Sequence, residues 1–303
     1  MTPAPIALFV YNRPEHTKKV LEALVKNDLA PLSELYVFSD GPKRPLDATA
    51  VAAVRSVLTS IAGFKFVRVI SRDSNYGLAR SITQGVGELV AKHGRIIVLE
   101  DDLVTSRYFL QYMNEALELY EHDERVVSVH GYVYPTKEQL PETFFMRGAD
   151  CWGWATWQRG WDIFQSDGTK LLAELEAKKL TKAFDLGGVY PYTYMLKSQI
   201  RGFNRSWAIL WYASAFLSGK LTLYPGRSLV RNIGFDKSGT HTGVTDYFMG
   251  ELSTGPIHIA PVPVVASAAA LRAFQVYFSS WKMKIFTGVV RARYILHRIK
   301  ALV

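Results

Sequence analysis

Three consecutive carboxylates, Glu100, Asp101 and Asp102, follow an apolar run at 96–99. Neighbouring like charges repel one another, so the triplet needs a reason to exist. One reading places the acids at the positive N-terminal end of a following helix, where each is worth roughly 0.3–1 kcal/mol. The other gives them a divalent cation, held weakly by carboxylate until substrate phosphates complete its shell. Other polar residues stand at comparable places along the chain: Asn12 and Arg13 after IALFV, Asp40 after ELYVFS, Arg72 and Asn75 after FKFVRVI. If those runs are parallel strands, the polar groups gather on one rim, outside the carboxyl ends of the strands, where open α/β sheets bind ligands. Carboxylates on such a rim suit ribose hydroxyls and base edges. GPKRP (41–45) and GVGEL (85–89) lack the spacing of a phosphate loop or a dinucleotide fingerprint.

The elements that must position these residues are written in the periodicity. Short apolar runs at 6–10, 34–40, 64–70, 96–99 and 126–132 alternate with segments of helical spacing, which predicts a mostly parallel sheet flanked by helices. The first helix is signalled by Asn12 as its cap, Pro14 in the first turn and Glu15 three residues after the cap. The next presents Val51, Val54 and Leu58 on one face, and a third presents Leu78, Ile82 and Leu89. A fourth carries Phe109, Leu110, Met113, Leu117 and Tyr120, with Thr105 or Ser106 as its cap. The second half is aromatic: DCWGWATWQRGW (150–161) holds four of the seven tryptophans, and SWAILWY (206–212) adds Trp207 and Trp211.

Composition narrows the class. A chain of 303 residues that is 49% hydrophobic can bury a sizeable core. The single cysteine, Cys151, allows no intramolecular disulfide and fits a reducing compartment, with cytoplasm the default. The first residues lack a signal-peptide pattern and no stretch reads as a transmembrane helix. The net charge of +9 has a local origin: after Glu251 there are seven Lys and Arg residues and no acid. From about 268 those bases alternate with Phe274, Phe278, Trp281, Ile285, Val289 and Leu296, the pattern of a helix lying in an anionic membrane interface or packed on the domain with a solvated basic face. No nucleic-acid recognition module accompanies the charge.

IIVLEDDLVTSRYF, ALFVYNRPEHTKKVLEAL, YVFSDGP and SNYGLARSI resemble the GT-A glycosyltransferases, specifically bacterial relatives of the N-acetylglucosaminyltransferase I branch. DCWGWATW, SWAILWYASAF and SLVRNIGFDKSGTH extend the resemblance to about residue 243. It implies a GT-A sheet with a C-terminal amphipathic helical tail. Residues 1–135 would bind the nucleotide sugar, 136–260 would build the acceptor side and a mobile lid, and 261–303 would be linker and basic tail. It implies that Asp102 ligates Mn2+ or Mg2+, with His241 as a second metal or diphosphate contact. Glu100 and Asp101 would then touch ribose and the donor sugar or base, and Asp40 and Arg13 base and phosphate, with Asn12, Arg72 and Asn75 completing the donor side. Asp40 in SDGP is also an ordinary turn residue.

The implied reaction moves a hexose or N-acetylhexosamine from a nucleotide diphosphate sugar, UDP-sugars favoured, to a glycan or lipid-linked acceptor in surface polysaccharide or lipopolysaccharide assembly. Inversion needs a base for the acceptor hydroxyl. In the family that acid stands beside a tryptophan in the region of SWAILWY, but here Asn204, Arg205 and Ser206 precede Trp207. Asp150, Asp162 and Asp236 are the remaining candidates; a retaining enzyme assisted by donor phosphate would need none. Trp207 and Trp211 are the expected acceptor platform, and Arg231 or Lys237 could neutralise the leaving diphosphate. The expected location is the inner face of the cytoplasmic membrane, reached through the tail. The rivals are a catalytically weak glycan-binding scaffold on the same fold and a nucleotidyltransferase.

Overall fold

A computed structural model describes residues 2–236 and 247–288. Among them an eight-stranded mixed sheet runs in the order β3-β2-β1-β4-β8-β6-β9-β7. Its first half is the predicted parallel array: β1 (Ile6–Val10), β2 (Glu34–Ser39), β3 (Phe66–Ser71) and β4 (Arg95–Glu100). The fully apolar runs of β1, β2 and β4 are buried on both faces, as strands covered by helices must be. β3, at the edge, leaves Phe66 and Val69 exposed. The connecting helices are α1 (Pro14–Leu24), α2 (Ala48–Leu58) and α3 (Leu78–His93).

β1 pairs in parallel with β2 on one side and β4 on the other. The strand order therefore reverses between β1 and β4, and the crevice at such a switch point is where these sheets take ligands. Phe9 lies level with Glu100, so the residues leaving β1 and β4 emerge side by side.

Past Glu100 the helix expected over Phe109–Tyr120 forms, but not directly behind the acids. Asp101 and Asp102 form a tight turn into a short strand, β5 (Leu103–Thr105), and α4 (Phe109–Leu119) starts only afterwards, with Tyr108 at its cap position. The acids are thus not at a helix N-terminus, and that explanation of the triplet lapses. Of the two expected caps, Ser106 serves the entry to α4: its Oγ accepts from Tyr108 N at 3.5 Å and its carbonyl from Phe109 N at 3.1 Å, while it donates to the Ser253 carbonyl; Thr105 instead accepts from Asn27. α1 starts at Pro14 as expected, but Arg13 occupies the cap position and no side chain caps it.

The second half of the chain completes the same sheet with β6 (Val126–His130), β7 (Thr143–Arg147), β8 (Trp154–Trp157) and β9 (Leu221–Pro225). β8 runs antiparallel between β4 and β6. β10 (Val230–Asn232) leaves the sheet and pairs antiparallel with β5. Helices α5 (Gln158–Trp161), α6 (Gly168–Ala177), α7 (Thr181–Phe184), α8 (Tyr192–Ile200) and α9 (Trp207–Leu217) cover this half. α10 (Ala268–Ser279) packs on β7, and residues 281–288 form a further helical stretch.

Trp154, Trp161, Trp207 and Trp211 stack on one another with ring centroids 5.3–5.7 Å apart. All four are buried, so this cluster is core. A burial of that size contributes several kcal/mol. It leaves no open ring on Trp207 or Trp211, which corrects the expectation that they form an acceptor platform.

Candidate active site

Arg13, leaving β1, reaches across the switch point to the acids leaving β4. One of its terminal nitrogens, Nη2, donates to Asp101 Oδ1 and, at 3.0 Å, to Asp102 Oδ2. Burial opposes the guanidinium charge, but Asp101 and Asp102 hold its pKa above the usual arginine value. One cation faces three carboxylates, and the imbalance is visible. Burial, with the charges of Asp102 and Asp101, pushes Glu100 up to about 8. Burial also raises Asp102, against the pull of Arg13. Asp101 is 4% exposed, and its Oδ2 has no hydrogen-bond partner among the described residues.

A hard divalent cation fits this arrangement: an orphaned carboxylate oxygen beside excess negative charge is the chemistry such an ion takes. Among the described residues no three His, Cys, Asp or Glu side chains converge into a complete ligand set. The ion would therefore rest on Asp102 or Asp101 and share its shell with donor phosphates. His241 lies outside the described residues, as does Lys237.

The segment after β10 roofs the acids. Ile233 N donates to the Asp102 carbonyl at 2.8 Å. A Cβ placed on Gly234 would stand 2.4 Å from Asp102 Oδ2 and 3.0 Å from Arg13 Nη1, so only glycine admits this approach. Asp236 then pairs with His16 Nε2 at 3.1 Å, which ties the roof to α1. Arg231, on β10, instead lines a groove of about 450 Å³ along α1 with Lys19, Lys26 and Arg107.

Asp40 is not a donor contact. Its Oδ1 accepts from Gly41 N and Tyr76 N at 3.0 and 2.8 Å, and its Oδ2 from Asn75 Nδ2 and Gly77 N at 3.0 and 2.9 Å. Four donors fill the roughly four lone-pair sites of a carboxylate, and the residue is 6% exposed. Asn75 also donates to the Gly41 carbonyl. The pair is a strut that fixes loop 75–77 against the end of β2, and Asp40 is corrected from donor contact to support. Beyond the strut, Arg72 donates to Ser81 Oγ at 2.5 Å and stacks on Tyr76 at 4.3 Å, while Arg80 covers the same ring at 3.9 Å. Arg72 and Arg80 thus form a cationic edge beside the crevice. Asn12 sits partly buried at the β1 exit.

On the far side of the acids lies DCW (150–152). Asp150 Oδ2 accepts from Tyr224 Oη at 3.0 Å and Tyr134 Oη at 3.5 Å. Burial pushes its pKa up to about 6 despite those hydrogen bonds. Burial raises the Cys151 thiol well above its usual value, and Glu100, Asp150 and Asp102 all add to that. Trp152 is partly exposed and held by Tyr132, Phe235 and Phe248 at 4.7, 5.6 and 5.8 Å. Its backbone N–H donates to His130 Nε2 at 3.1 Å. His130 is buried, and its pKa is pushed down to about 3, so it stays neutral and can accept.

The structure therefore brings together Arg13, Glu100, Asp101 and Asp102, and links them to the Asp150 segment through Trp152, which packs on Phe235 beside Gly234. It adds Trp152, Tyr134, Tyr224, His16 and Gly234, none of which the sequence reading had placed in the site. Of these, Trp152, beside Asp150 in a Trp-rich motif, and Gly234, within SLVRNIGFDKSGTH, carried a local signal. Asp162, in the turn after α5, has no described contact with the site.

Comparison with known proteins followed the same outline. None of the curated protein sequences matches the chain. Among solved structures, the mannosyltransferase PcManGT from Pyrobaculum calidifontis in complex with GDP-Man and Mn2+ is similar at 15% identity and a TM-score of 0.33, over 44% of this chain and 37% of that one. S. aureus TarS 1–349 is similar at 9% identity and a TM-score of 0.40, over 75% of this chain and 59% of that one. This chain thus spans well under two thirds of either. The profile of glycosyl transferase family 2 matches residues 6–171, more than half of the chain. With the mixed α/β sheet of a GT-A fold and its acids at the switch point, the chain belongs to glycosyl transferase family 2.

Proposed function

We propose that the protein transfers a hexose or N-acetylhexosamine from a nucleotide diphosphate sugar to a glycan hydroxyl, with inversion, and that Asp150 is the base. One observation carries this reading: a carboxylate held by Tyr224 and Tyr134, with its pKa near 6, stands two residues from Trp152, which packs on Phe235 beside the Gly234 roof of an acid cluster able to hold a donor. A general base works best when its pKa is close to the operating pH.

The chain's own residues divide the labour. Arg13 orients Asp101 and Asp102 and lends positive charge where the diphosphate departs. The Asp40–Asn75 strut keeps the loop beside the crevice in place. Tyr134 and Tyr224 hold the Asp150 carboxylate by one oxygen and leave the other to the acceptor. The acceptor oxygen bonds to the anomeric carbon as the bond to the diphosphate oxygen breaks, and its proton passes to Asp150. Trp152 offers the sugar an aromatic face that Trp207 and Trp211 cannot. A Mn2+ or Mg2+ ion on Asp102 or Asp101 would, when bound, neutralise charge on the diphosphate.

Kinship with the N-acetylglucosaminyltransferase I branch, UDP as the preferred nucleotide and a role in surface polysaccharide or lipopolysaccharide assembly at the cytoplasmic face of the membrane belong to the same proposal. They rest on the sequence motifs. Nucleotide sugars are screened with Mn2+ for hydrolysis and thermal stabilisation, then acceptor glycans for transfer. Expected is a metal-dependent donor effect abolished by Asp102→Ala, and transfer lost in Asp150→Asn with donor binding kept. No turnover of any donor, with donor binding unaffected by Asp102→Ala, would leave a glycan-binding protein; release of pyrophosphate from a triphosphate would make it a nucleotidyltransferase.

A further inference from the structure

The helical stretch at 281–288 has two faces. Met283 and Thr287 are buried, and Phe286 packs against Phe248 and Tyr247 with centroids 5.3 and 6.2 Å apart. The opposite face presents Trp281, 69% exposed, and Ile285, 56% exposed, one helical turn apart. Lys282 and Lys284 flank them, also exposed. A large indole and a branched aliphatic side chain standing in water beside two lysines form an amphipathic face with nothing of the described chain upon it. The sequence it belongs to has one sign of charge: after Glu251 the chain carries seven Lys and Arg residues and no acid, four of them, Arg291, Arg293, Arg298 and Lys300, beyond the described residues. No described helix is long and apolar enough to cross a membrane.

The inner side of this region leads to the active site. Phe248 touches Trp152. α10 places Phe274, Tyr277 and Phe278 around Tyr134 at 5.0, 5.8 and 4.8 Å, and Tyr134 holds Asp150. The exposed face is thus two side-chain layers away from Trp152.

From this geometry we infer that 281–288, backed by α10, docks the protein on an anionic lipid surface, with Trp281 and Ile285 entering the interface and Lys282 and Lys284 meeting lipid phosphates. Interfacial helices bind by this combination of apolar burial and basic charge. Docking there sets the Asp150 side of the site next to the lipid surface, so the acceptor glycan is one borne on a lipid. That last step rests on the glycosyltransferase reading; the docking itself does not.

The test is co-sedimentation of the full chain with phosphatidylcholine vesicles, with and without phosphatidylglycerol. Phosphatidylglycerol is expected to raise the bound fraction strongly, in a salt-sensitive way. Trp281→Ser/Ile285→Ser is expected to weaken partitioning by at least about tenfold, and Lys282→Gln/Lys284→Gln by roughly fivefold per lysine on anionic vesicles only. Both variants should melt with the parent and turn over a soluble acceptor unchanged, since the altered side chains are exposed. The inference is overturned if the parent ignores phosphatidylglycerol or if both variants bind like the parent. It is also overturned if Trp281→Ser/Ile285→Ser merely converts a dimer to a monomer. No donor is needed for sedimentation, so a protein that binds vesicles but transfers nothing fails only the enzymatic reading, and an active one that ignores vesicles fails only this one.

Discussion

Asp150 offers the sharpest test, because one carboxylate carries both a stability and a rate prediction. Its pKa in the fold is about 6 against an ordinary 3.8, chiefly through burial. The folded chain therefore binds this proton more tightly than the unfolded chain. The associated stability is fully present below about pH 4, is lost as pH rises towards 6 and is absent above. Two units at 1.36 kcal/mol each amount to roughly 3 kcal/mol. Asp150→Asn keeps an oxygen for Tyr224 and Tyr134 but cannot titrate. Urea denaturation of parent and variant at a series of pH values isolates the effect as a difference. The parent should lose roughly 3 kcal/mol relative to the variant between about pH 4 and 7. In the same interval its kcat should climb and then level, while the variant's falls by about 10²–10⁴ with donor affinity unchanged. Parallel stability curves for the two proteins would refute the burial argument, and a variant with undiminished kcat would refute the catalytic one.

Other outcomes follow from the remaining contacts. Arg13→Ala leaves Asp101 and Asp102 without their cation and should cost about 2 kcal/mol by urea denaturation, more above about pH 8, where Glu100 ionises as well, than near pH 5, where Glu100 is protonated. Gly234→Ala drives a methyl group into Asp102 and should weaken nucleotide diphosphate binding about tenfold or more, by calorimetry, with little change in melting temperature. Asp40→Ala removes four hydrogen bonds at once and should destabilise by about 3 kcal/mol; a donor contact would show mainly as a raised donor KM. Trp152→Ala should raise the acceptor KM several-fold and leave the donor KM unchanged.

Much of the donor half was legible because burial on both faces of a parallel sheet forces uninterrupted apolar runs, and IALFV, LYVF and IIVL could be little else. The rule that ligands bind outside the carboxyl ends of parallel strands put Arg13 on one rim with Glu100–Asp102, while the strand order that makes them neighbours was not legible. Local chemistry was less readable. Asn12 looked like a cap because type and spacing were right, yet the cap position fell to Arg13, whose side chain serves the acids. Asp40 looked exposed on the rim because a sequence shows no backbone N–H groups, and three of those fill its lone pairs. Trp207 and Trp211 sit in WAILWYASAFL, which is apolar on every side; that pattern belongs to a buried helix. The hold of Tyr134 and Tyr224 on Asp150 had no local trace, since it depends on β9 lying beside β6 and β7.

The short ladder of β5 with β10 reaches beyond geometry into folding. Val230 faces Thr105 and Asn232 faces Leu103, so the lid of the acid cluster is supplied by a strand synthesised long after the acids themselves. A chain arrested in mid-synthesis has the charges but no cover, and water there quenches their field. Such distant pairings close late. A nucleotide that binds only beneath the lid must then favour its closure by mass action. In the proposed transferase, a donor held beneath that roof would stabilise the part of the fold that is completed last.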